Sequence, residues 1–404
     1  MRILFITDNF PPEVNAPATR TYEHAKEWVK LGAEVTVITC APNFPQGKVY
    51  DGYKNNFRKV QYIDGIKVIR VWSYITSNAG FLKRTLDYLS FSFSAAFYGM
   101  FQKTEVIIAT SPQFFTTWAG YFLSIVKRKP WIFELRDLWP ESIVSVGAMS
   151  KGRLYHLLER IELFLYKKAD QIIPNTEPFK SNLIARGVDP QKIDVIENGA
   201  NLELFDPEIK VPELKSKLGF DDRPLVGYIG THGMAHALDF IVESIKSQKI
   251  DFVNFLFIGD GAEKPKVKAL AEKYKLGNVK FIDPIPKNNI PEYLSIIDIS
   301  LIPLRQSDTF KTVIPSKIYE TCAMHIPILL GVKGEAERLI KKYDVGLCFE
   351  PENAQDFSEK IYRMVSDKVL YLRLEKNTRK LASDFNRKKM AFKMLELIKN
   401  TSKK

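Results

Sequence analysis

The segment Val313-Ile314-Pro315-Ser316-Lys317-Ile318-Tyr319-Glu320 gathers residue types suited to holding a phosphorylated sugar. Ser316 stands just before a helical pattern and is a good N-cap, with a hydroxyl suited to an orphan amide proton. Lys317 and Glu320 are three residues apart and so share one helix face. A lysine at the positive end of a helix dipole suits phosphate, and a carboxylate one turn on suits sugar hydroxyls. A second group opens the C-terminal half as Gly227-Tyr228-Ile229-Gly230-Thr231-His232-Gly233-Met234-Ala235-His236. Gly230 and Gly233 flank a strand-to-helix turn, where backbone amides can approach a diphosphate with no Cβ in the way. The bare alternative is that the glycines only make the turn. His232 and His236 suit phosphate neutralisation or donation to a leaving group, although a lone histidine is more often structural. Gly259-Asp260-Gly261 reads as a tight turn that can line a nucleotide pocket. Ile285, between two prolines after another strand, marks extended backbone able to meet a base edge.

In the N-terminal half, Glu134-Leu135-Arg136-Asp137-Leu138-Trp139-Pro140-Glu141 follows a strand. Arg136 suits a phosphate and Asp137 an acceptor hydroxyl; a loop ion pair is the competing reading. The loop 8–19 holds Asn15 and lacks a Gly-x-Gly-x-x-Gly fingerprint, which argues against a nicotinamide or flavin dinucleotide.

The elements that must position these residues alternate. Short apolar, β-branched runs at 3–6, 34–39, 106–109, 131–134 and 171–174 are strand candidates. Helical patterns at 18–31, 114–126, 153–168 and 178–185 separate or follow them. After a turn at Asn198-Gly199 and a charged stretch to Arg223, the order resumes with strands at 226–229, 252–258, 279–282, 299–302, 328–330 and 346–349. Helical patterns lie between them at 238–247, 264–275, 290–297, 316–324 and 336–343. Strands without alternation are expected when both sheet faces are covered, so the fold class is α/β with parallel, doubly wound sheets. The expected organisation is residues 1–198, residues 199–383, and a terminal helix with a basic tail over 384–404. The carboxyl ends of two such sheets are expected to border one cleft, because ligands of open α/β sheets bind there.

The chain has 404 residues, 45% hydrophobic, with a net charge of +12. Its three cysteines, Cys40, Cys322 and Cys348, have no close spacing and fit neither a disulfide framework nor a zinc site. The charge suits an anionic membrane or phosphorylated substrates; dispersed basic residues without a recognised motif argue against nucleic acid. The N-terminal apolar run is too short for a signal peptide, and no stretch spans a bilayer. The expected location is therefore cytoplasmic. The stretch from Phe81 to Phe101, with Lys83, Arg84 and the nearby Lys127-Arg128-Lys129, suits either a membrane interface or a helix packed on the sheet.

Together these positions resemble the GT-B glycosyltransferases of the large retaining family 4. The nearest likeness is the O-antigen and capsule branch typified by L-fucosamine (N-acetylfucosamine) transferase. The resemblance runs through segments 8–20, 32–39, 136–141, 195–205, 227–233, 259–261 and 315–320. It implies two Rossmann-like domains, with a nucleotide-sugar donor held by the second and an acceptor by the first. It also implies a last helix, 388–398, crossing back to the first domain. On this likeness Glu320 matches the glutamate that binds the donor ribose. Thr312 stands where a donor-sugar glutamate is usual, and Thr231 and His236 stand where Arg and Lys meet the diphosphate. Lys317, with Arg305 or Lys311, is expected to supply that charge. The implied donor set is Glu320, Gly230, Thr231, Gly233, His236, Arg305, Thr312, Ser316, Ile285 and Gly261. Lys317, Asp137 and Arg136 are the expected catalytic residues, and Asn15, Arg20 and Trp139 the acceptor side. The implied reaction needs no metal and no cofactor, with a UDP-sugar as donor and a polyprenyl-diphosphate-linked glycan as acceptor. It places the chain at the inner face of the cytoplasmic membrane. Two other readings stand beside it: a nucleotide-sugar 2-epimerase of the same fold, and a non-catalytic nucleotide-binding scaffold.

Overall fold

The computed structural model describes residues 1–44, 46–76, 81–111, 114–141, 144, 150 and 152–403. It divides into two compact units, residues 1–198 with 387–404, and residues 199–386. The terminal helix Arg387–Ser402 thus belongs to the first unit, and the second extends to Asn386.

The first unit holds strands β1 (Arg2–Ile6), β2 (Glu34–Cys40), β3 (Arg58–Ile63), β4 (Ile66–Val71), β5 (Val106–Thr110), β6 (Trp131–Leu135) and β7 (Gln171–Pro174). Their order is β3-β4-β2-β1-β5-β6-β7, parallel except for β3. β5 and β6 are buried at every residue, which is why they read as unbroken apolar runs. On one face, helices Ala16–Lys30 and Arg387–Ser402 pack Trp28, Met390 and Met394 against Ile3, Phe5 and Val37. The Trp28 indole donates to the Ala391 carbonyl at 2.8 Å. On the other face, helices Phe81–Met100, Phe114–Lys127 and Arg153–Lys168 contribute Phe91, Leu123 and Tyr166 to a core with Trp131 and Phe133.

The β3–β4 hairpin is absent from the sequence expectations. Its signal is the pair Asp64-Gly65, both at positive φ in a two-residue turn. β3 is an edge strand with no buried residue, so it lacks the apolar run that marked the central strands.

The second unit holds β8 (Leu225–Ile229), β9 (Asn254–Ile258), β10 (Val279–Ile282), β11 (Ile299–Pro303), β12 (Ile328–Gly331) and β13 (Gly346–Cys348). All are parallel, in the order β10-β9-β8-β11-β12-β13. Helices cover both faces, including Ala354–Ser366 and Lys368–Asp384, which lie outside the expected pattern. Two α/β units with doubly wound sheets are therefore what this sequence builds. In each, the strand order reverses beside one central pair, β1/β5 and β8/β11, and the carboxyl ends there are where such sheets bind ligands.

Candidate active site

At the β8/β11 reversal the chain turns at Gly230, and helix Lys317–Ala323 lies between β11 and β12. Lys317 Nζ sits over the Tyr228 ring, 3.8 Å from its centroid. It also crowds Gly230, where an added Cβ would lie 2.5 Å from that nitrogen. Lys317 has no ion pair or hydrogen bond among the described residues. The residue as a whole is half-buried, and burial of its amine pushes that group down to about 7, against the opposing field of Glu320. Glu320 is paired with Lys287 at 3.6 Å. Lys287, in the turn after β10, is a site cation that the sequence analysis missed; its only sequence signal is its place behind Pro286 at a strand end.

Ser316 does not act as the expected cap. Its backbone is already helical, at φ −60 and ψ −25, and its side chain makes no cap bond. An N-cap needs an extended backbone to turn its oxygen toward the N2 or N3 amide.

The turns after β8 and β9 interlock. The Gly230 amide donates to Ile258 O at 2.9 Å and the His232 amide to Asp260 O at 2.8 Å. These two amides, expected to face a diphosphate, instead prolong the sheet ladder. The amides of Thr231 and Gly233 have no partner among the described residues, and the Tyr228 hydroxyl donates to Thr231 O at 2.5 Å. Gly259, at φ 140, has no room for a side chain: a Cβ there would lie 1.9 Å from Gly230 O. Gly261 meets the same limit against His232 O at 2.4 Å. Its place in the structure is thus a backbone-to-backbone packing position.

His232 is fully buried between the Tyr228 and Phe281 rings, with centroids at 5.7 and 6.3 Å. Neither of its ring nitrogens, nor the buried His236 Nδ1, makes a hydrogen bond of normal geometry; the Ile258 carbonyl lies near the His232 ring and the Gly233 carbonyl near that of His236. The His236 ring lies 6.0 Å from Tyr228. Burial pushes both imidazoles down to about 4, with the charge of Lys317 acting on both and that of Lys264 also on His232.

Arg305 is not a spare charge. It holds Asp239 through two bonds of 2.8 Å, Glu352 at 3.0 Å and the Met234 carbonyl at 2.9 Å. Lys311 pairs with Asp308 at 2.6 Å. Thr312 is half-buried in the turn Thr309–Thr312, and Ile285 packs partly buried on the core. A cavity of about 530 Å³ lies elsewhere, lined by Arg223, Lys246, Lys249 and Lys275 at the amino ends of the strands. That edge of a parallel sheet does not carry its ligands.

In the first unit, the three residues expected to face an acceptor have internal duties. Asn15 caps helix Ala16–Lys30, accepting from the Ala18 amide at 2.9 Å and donating to Asn9 at 2.6 Å. Trp139 stacks on Phe114, centroids 4.1 Å apart. Arg20 is buried and bonds Glu134 at 2.9 Å, with further bonds to the carbonyls of Ile196 and Glu197 and to Asn198. A buried guanidinium demands such partners, and these take four of its five N–H donors. Arg136 and Asp137 are half-buried just past the end of β6. The Arg136 side chain reaches only the Pro17 carbonyl, at 3.3 Å, and has no ion pair among the described residues. Burial pushes its guanidinium down to about 10; Glu134 opposes this, and Arg20 and Arg387 reinforce it. This cation therefore gains by meeting an anion.

Two family models match the chain: "Glycosyl transferase 4-like domain" over residues 15–199 and "Glycosyl transferases group 1" over residues 210–381. The chain is a glycosyltransferase with the GT-B architecture, built from these two domains. WcaI of Escherichia coli K12, whose name assigns it as a glycosyl transferase to colanic acid biosynthesis, is 23% identical over 88% of this chain and 90% of its own. The Campylobacter jejuni N,N'-diacetylbacillosaminyl-diphospho-undecaprenol alpha-1,3-N-acetylgalactosaminyltransferase is 29% identical over 57% of this chain and 61% of its own. Among solved structures, HepE of Anabaena in complex with UDP and glucose superposes with a TM-score of 0.74, at 17% identity over 99% of both chains.

Proposed function

We propose that this enzyme moves a sugar from a UDP-sugar to a polyprenyl-diphosphate-linked glycan in bacterial surface polysaccharide assembly. The observation that carries the reading is Lys317, an amine with no carboxylate paired to it, poised at the carboxyl end of β8 beside Gly230. Relatives support the acceptor and the pathway class: one named for an undecaprenyl-diphosphate-linked acceptor, one for colanic acid. The UDP bound to a structural neighbour supports the donor. The L-fucosamine branch remains part of this proposal, as do retention of configuration and metal independence.

In the proposed reaction the bond between the anomeric carbon and the diphosphate oxygen breaks. The acceptor oxygen bonds to the same face, and its proton passes to the departing diphosphate. Lys317 and the free amides of Thr231 and Gly233 stabilise the charge growing on that diphosphate. Glu320, held by Lys287, meets the ribose. Arg136 and Asp137 serve the acceptor, one for its phosphate and the other for its hydroxyl. The test is thermal stabilisation by UDP, GDP, ADP and CDP without added metal. A ligand that binds only the folded state raises the melting temperature by mass action. A shift with UDP, weakened in Glu320→Ala, is expected; a shift with another nucleotide alone replaces the donor, and none with any of them defeats the reading.

We also propose that the first unit rests on an anionic bilayer. No helix among the described residues is long and apolar enough to cross a membrane. Phe93, Phe97, Phe101, Ile125 and Val126 are nevertheless all more than half exposed. Exposed Lys103, Arg128 and Lys129 lie beside them in the sequence. Lys127 is spent otherwise, donating to the carbonyls of Met100 and Gln102 and so tying two helix ends together. An apolar face rimmed by cations suits anionic head groups. The protein is expected to sediment with phosphatidylglycerol vesicles, less so in high salt, and several-fold less in Phe97→Ser/Phe101→Ser. No sedimentation with such vesicles would overturn this.

A further inference from the structure

The donor site places three titratable nitrogens round one aromatic ring and gives them no anion. Lys317 Nζ is 3.8 Å from the Tyr228 centroid, and the rings of His232 and His236 are 5.7 and 6.0 Å from it. Both His232 ring nitrogens and His236 Nδ1 are buried with no hydrogen bond of normal geometry, and only the carbonyls of Ile258 and Gly233 lie near them. A buried polar atom without a well-formed hydrogen bond keeps a desolvation cost that a ligand can relieve. These ring nitrogens stand beside the Lys317 amine with no carboxylate on any of them, a setting that suits an anionic ligand.

The other charges around it are committed or distant in effect. Glu320, on the same helix as Lys317, is held by Lys287. Lys264, from helix Lys264–Lys273, pairs with Asp283 at 2.7 Å. Asp260, after β9, turns its carboxylate onto the Gly261 amide. Arg305 is neutralised by Asp239 and Glu352.

We infer that this enzyme assembles its diphosphate-binding charge on binding: Lys317, with His236 and His232 behind it, takes up a proton from solvent as the diphosphate enters. The inference rests on the donor reading above and deepens it. A permanent arginine or lysine pair would bind the diphosphate at every pH. Here burial disfavours the charged forms until an anion arrives, and an anion within a few ångströms restores them. With the Lys317 amine near 7 in the free protein, much of it is neutral at pH 8, and the inference has it protonated in the complex.

The sign follows from linkage. A group whose proton affinity rises on binding gives its full contribution below its free-state value. That contribution is lost as pH rises towards its value in the complex. Through Lys317, UDP affinity is therefore expected to weaken by up to about tenfold per pH unit above pH 7. The imidazoles, which titrate near 4 when free, add a second, separate fall above that value.

Calorimetric titration with UDP at pH 8 tests this, in Tris, HEPES and Tricine, whose ionisation enthalpies differ. The terminal phosphate of UDP has then lost its second proton, as phosphate monoesters do near pH 6, so uptake reports the protein. The dependence of the observed heat on buffer enthalpy is expected to give close to one proton taken up per UDP. In Lys317→Met the uptake is expected to fall close to zero, with binding weakened. Binding of UDP with no proton uptake overturns the inference and leaves the donor reading standing. Uptake unchanged in Lys317→Met overturns the assignment to Lys317. Uptake seen only with another nucleoside diphosphate supports the inference and corrects the donor. No binding of UDP, GDP, ADP or CDP overturns both.

Discussion

Replacing Lys317 with alanine is expected to lower kcat by about 10²–10³-fold, with the fold intact. Loss of one preorganised group aimed at developing charge typically costs about 3–4 kcal/mol of barrier. Lys317 is the group in this site best placed to have such an effect, because Arg305 is bound by Asp239 and Glu352 and Lys311 by Asp308. Two amides of the neighbouring turn are spent on Ile258 and Asp260. The side chain is half-buried and packs on the Tyr228 ring and Gly230 at the end of β8. The effect should fall mainly on kcat, since the diphosphate carries more charge as it departs than in the bound donor. Lys275→Ala is the control: that residue sits in the turn after helix Lys264–Lys273, at the amino edge of the sheet. Arginine is not expected to restore full activity at position 317, because its planar fork differs in shape from the compact ammonium that lies against Gly230 and the Tyr228 ring. Steady-state rates with a UDP-sugar and a lipid-diphosphate acceptor decide the matter. Equal rates in Lys317→Ala and Lys275→Ala would sink the assignment.

What the sequence discloses depends on whether a residue's neighbours are local. The central strands were legible because burial on both faces leaves nothing but apolar residues, as in the run Val106–Thr110. The turn glycines were legible because backbone crowding excludes every other residue at Gly259. Lys317 and Glu320 could be paired because helix geometry fixes their relation. The β3–β4 hairpin escaped because an exposed edge needs no apolar run. Helices Ala354–Ser366 and Lys368–Asp384 escaped as well, although each carries a capping aspartate or asparagine. For charged residues, sequence reports the type but not the partner. Arg305 reads as a phosphate ligand until Asp239, 66 positions away, is seen to hold it. Ser316 reads as a cap until its backbone dihedrals are known. Lys287 gave almost no signal, since its role depends on Glu320 arriving from helix Lys317–Ala323.

Arg20 shows the same limit and carries the largest expected effect on stability. Its guanidinium and the Glu134 carboxylate are 1% and 2% exposed and 2.9 Å apart. Burial pushes Glu134 up, but the charges of Arg20 and Arg136 outweigh it and hold the carboxyl below its ordinary range. Arg20 also satisfies the carbonyls of Ile196 and Glu197, so it joins helix Ala16–Lys30, β6 and the chain leaving β7. In Arg20→Leu the carboxylate stays buried with its main partner gone, and those carbonyls lose their donor. Breaking a buried pair on one side costs about 3–5 kcal/mol. At roughly 2–4 °C per kcal/mol for a domain of 150–250 residues, the transition of the first unit should fall by about 6–20 °C. The double variant Arg20→Leu/Glu134→Leu is expected to recover much of that loss, because two apolar residues bury no charge. In the wild type, a carboxyl held low in the fold contributes stability above its unfolded value, and this is lost as pH falls through the folded one. The melting temperature should therefore drop in acid more steeply for wild type than for the double variant. Calorimetry of the three proteins over pH 3–7 checks this. A single variant as stable as wild type would mean that Arg20 is not what holds Glu134, and would return it to the acceptor side.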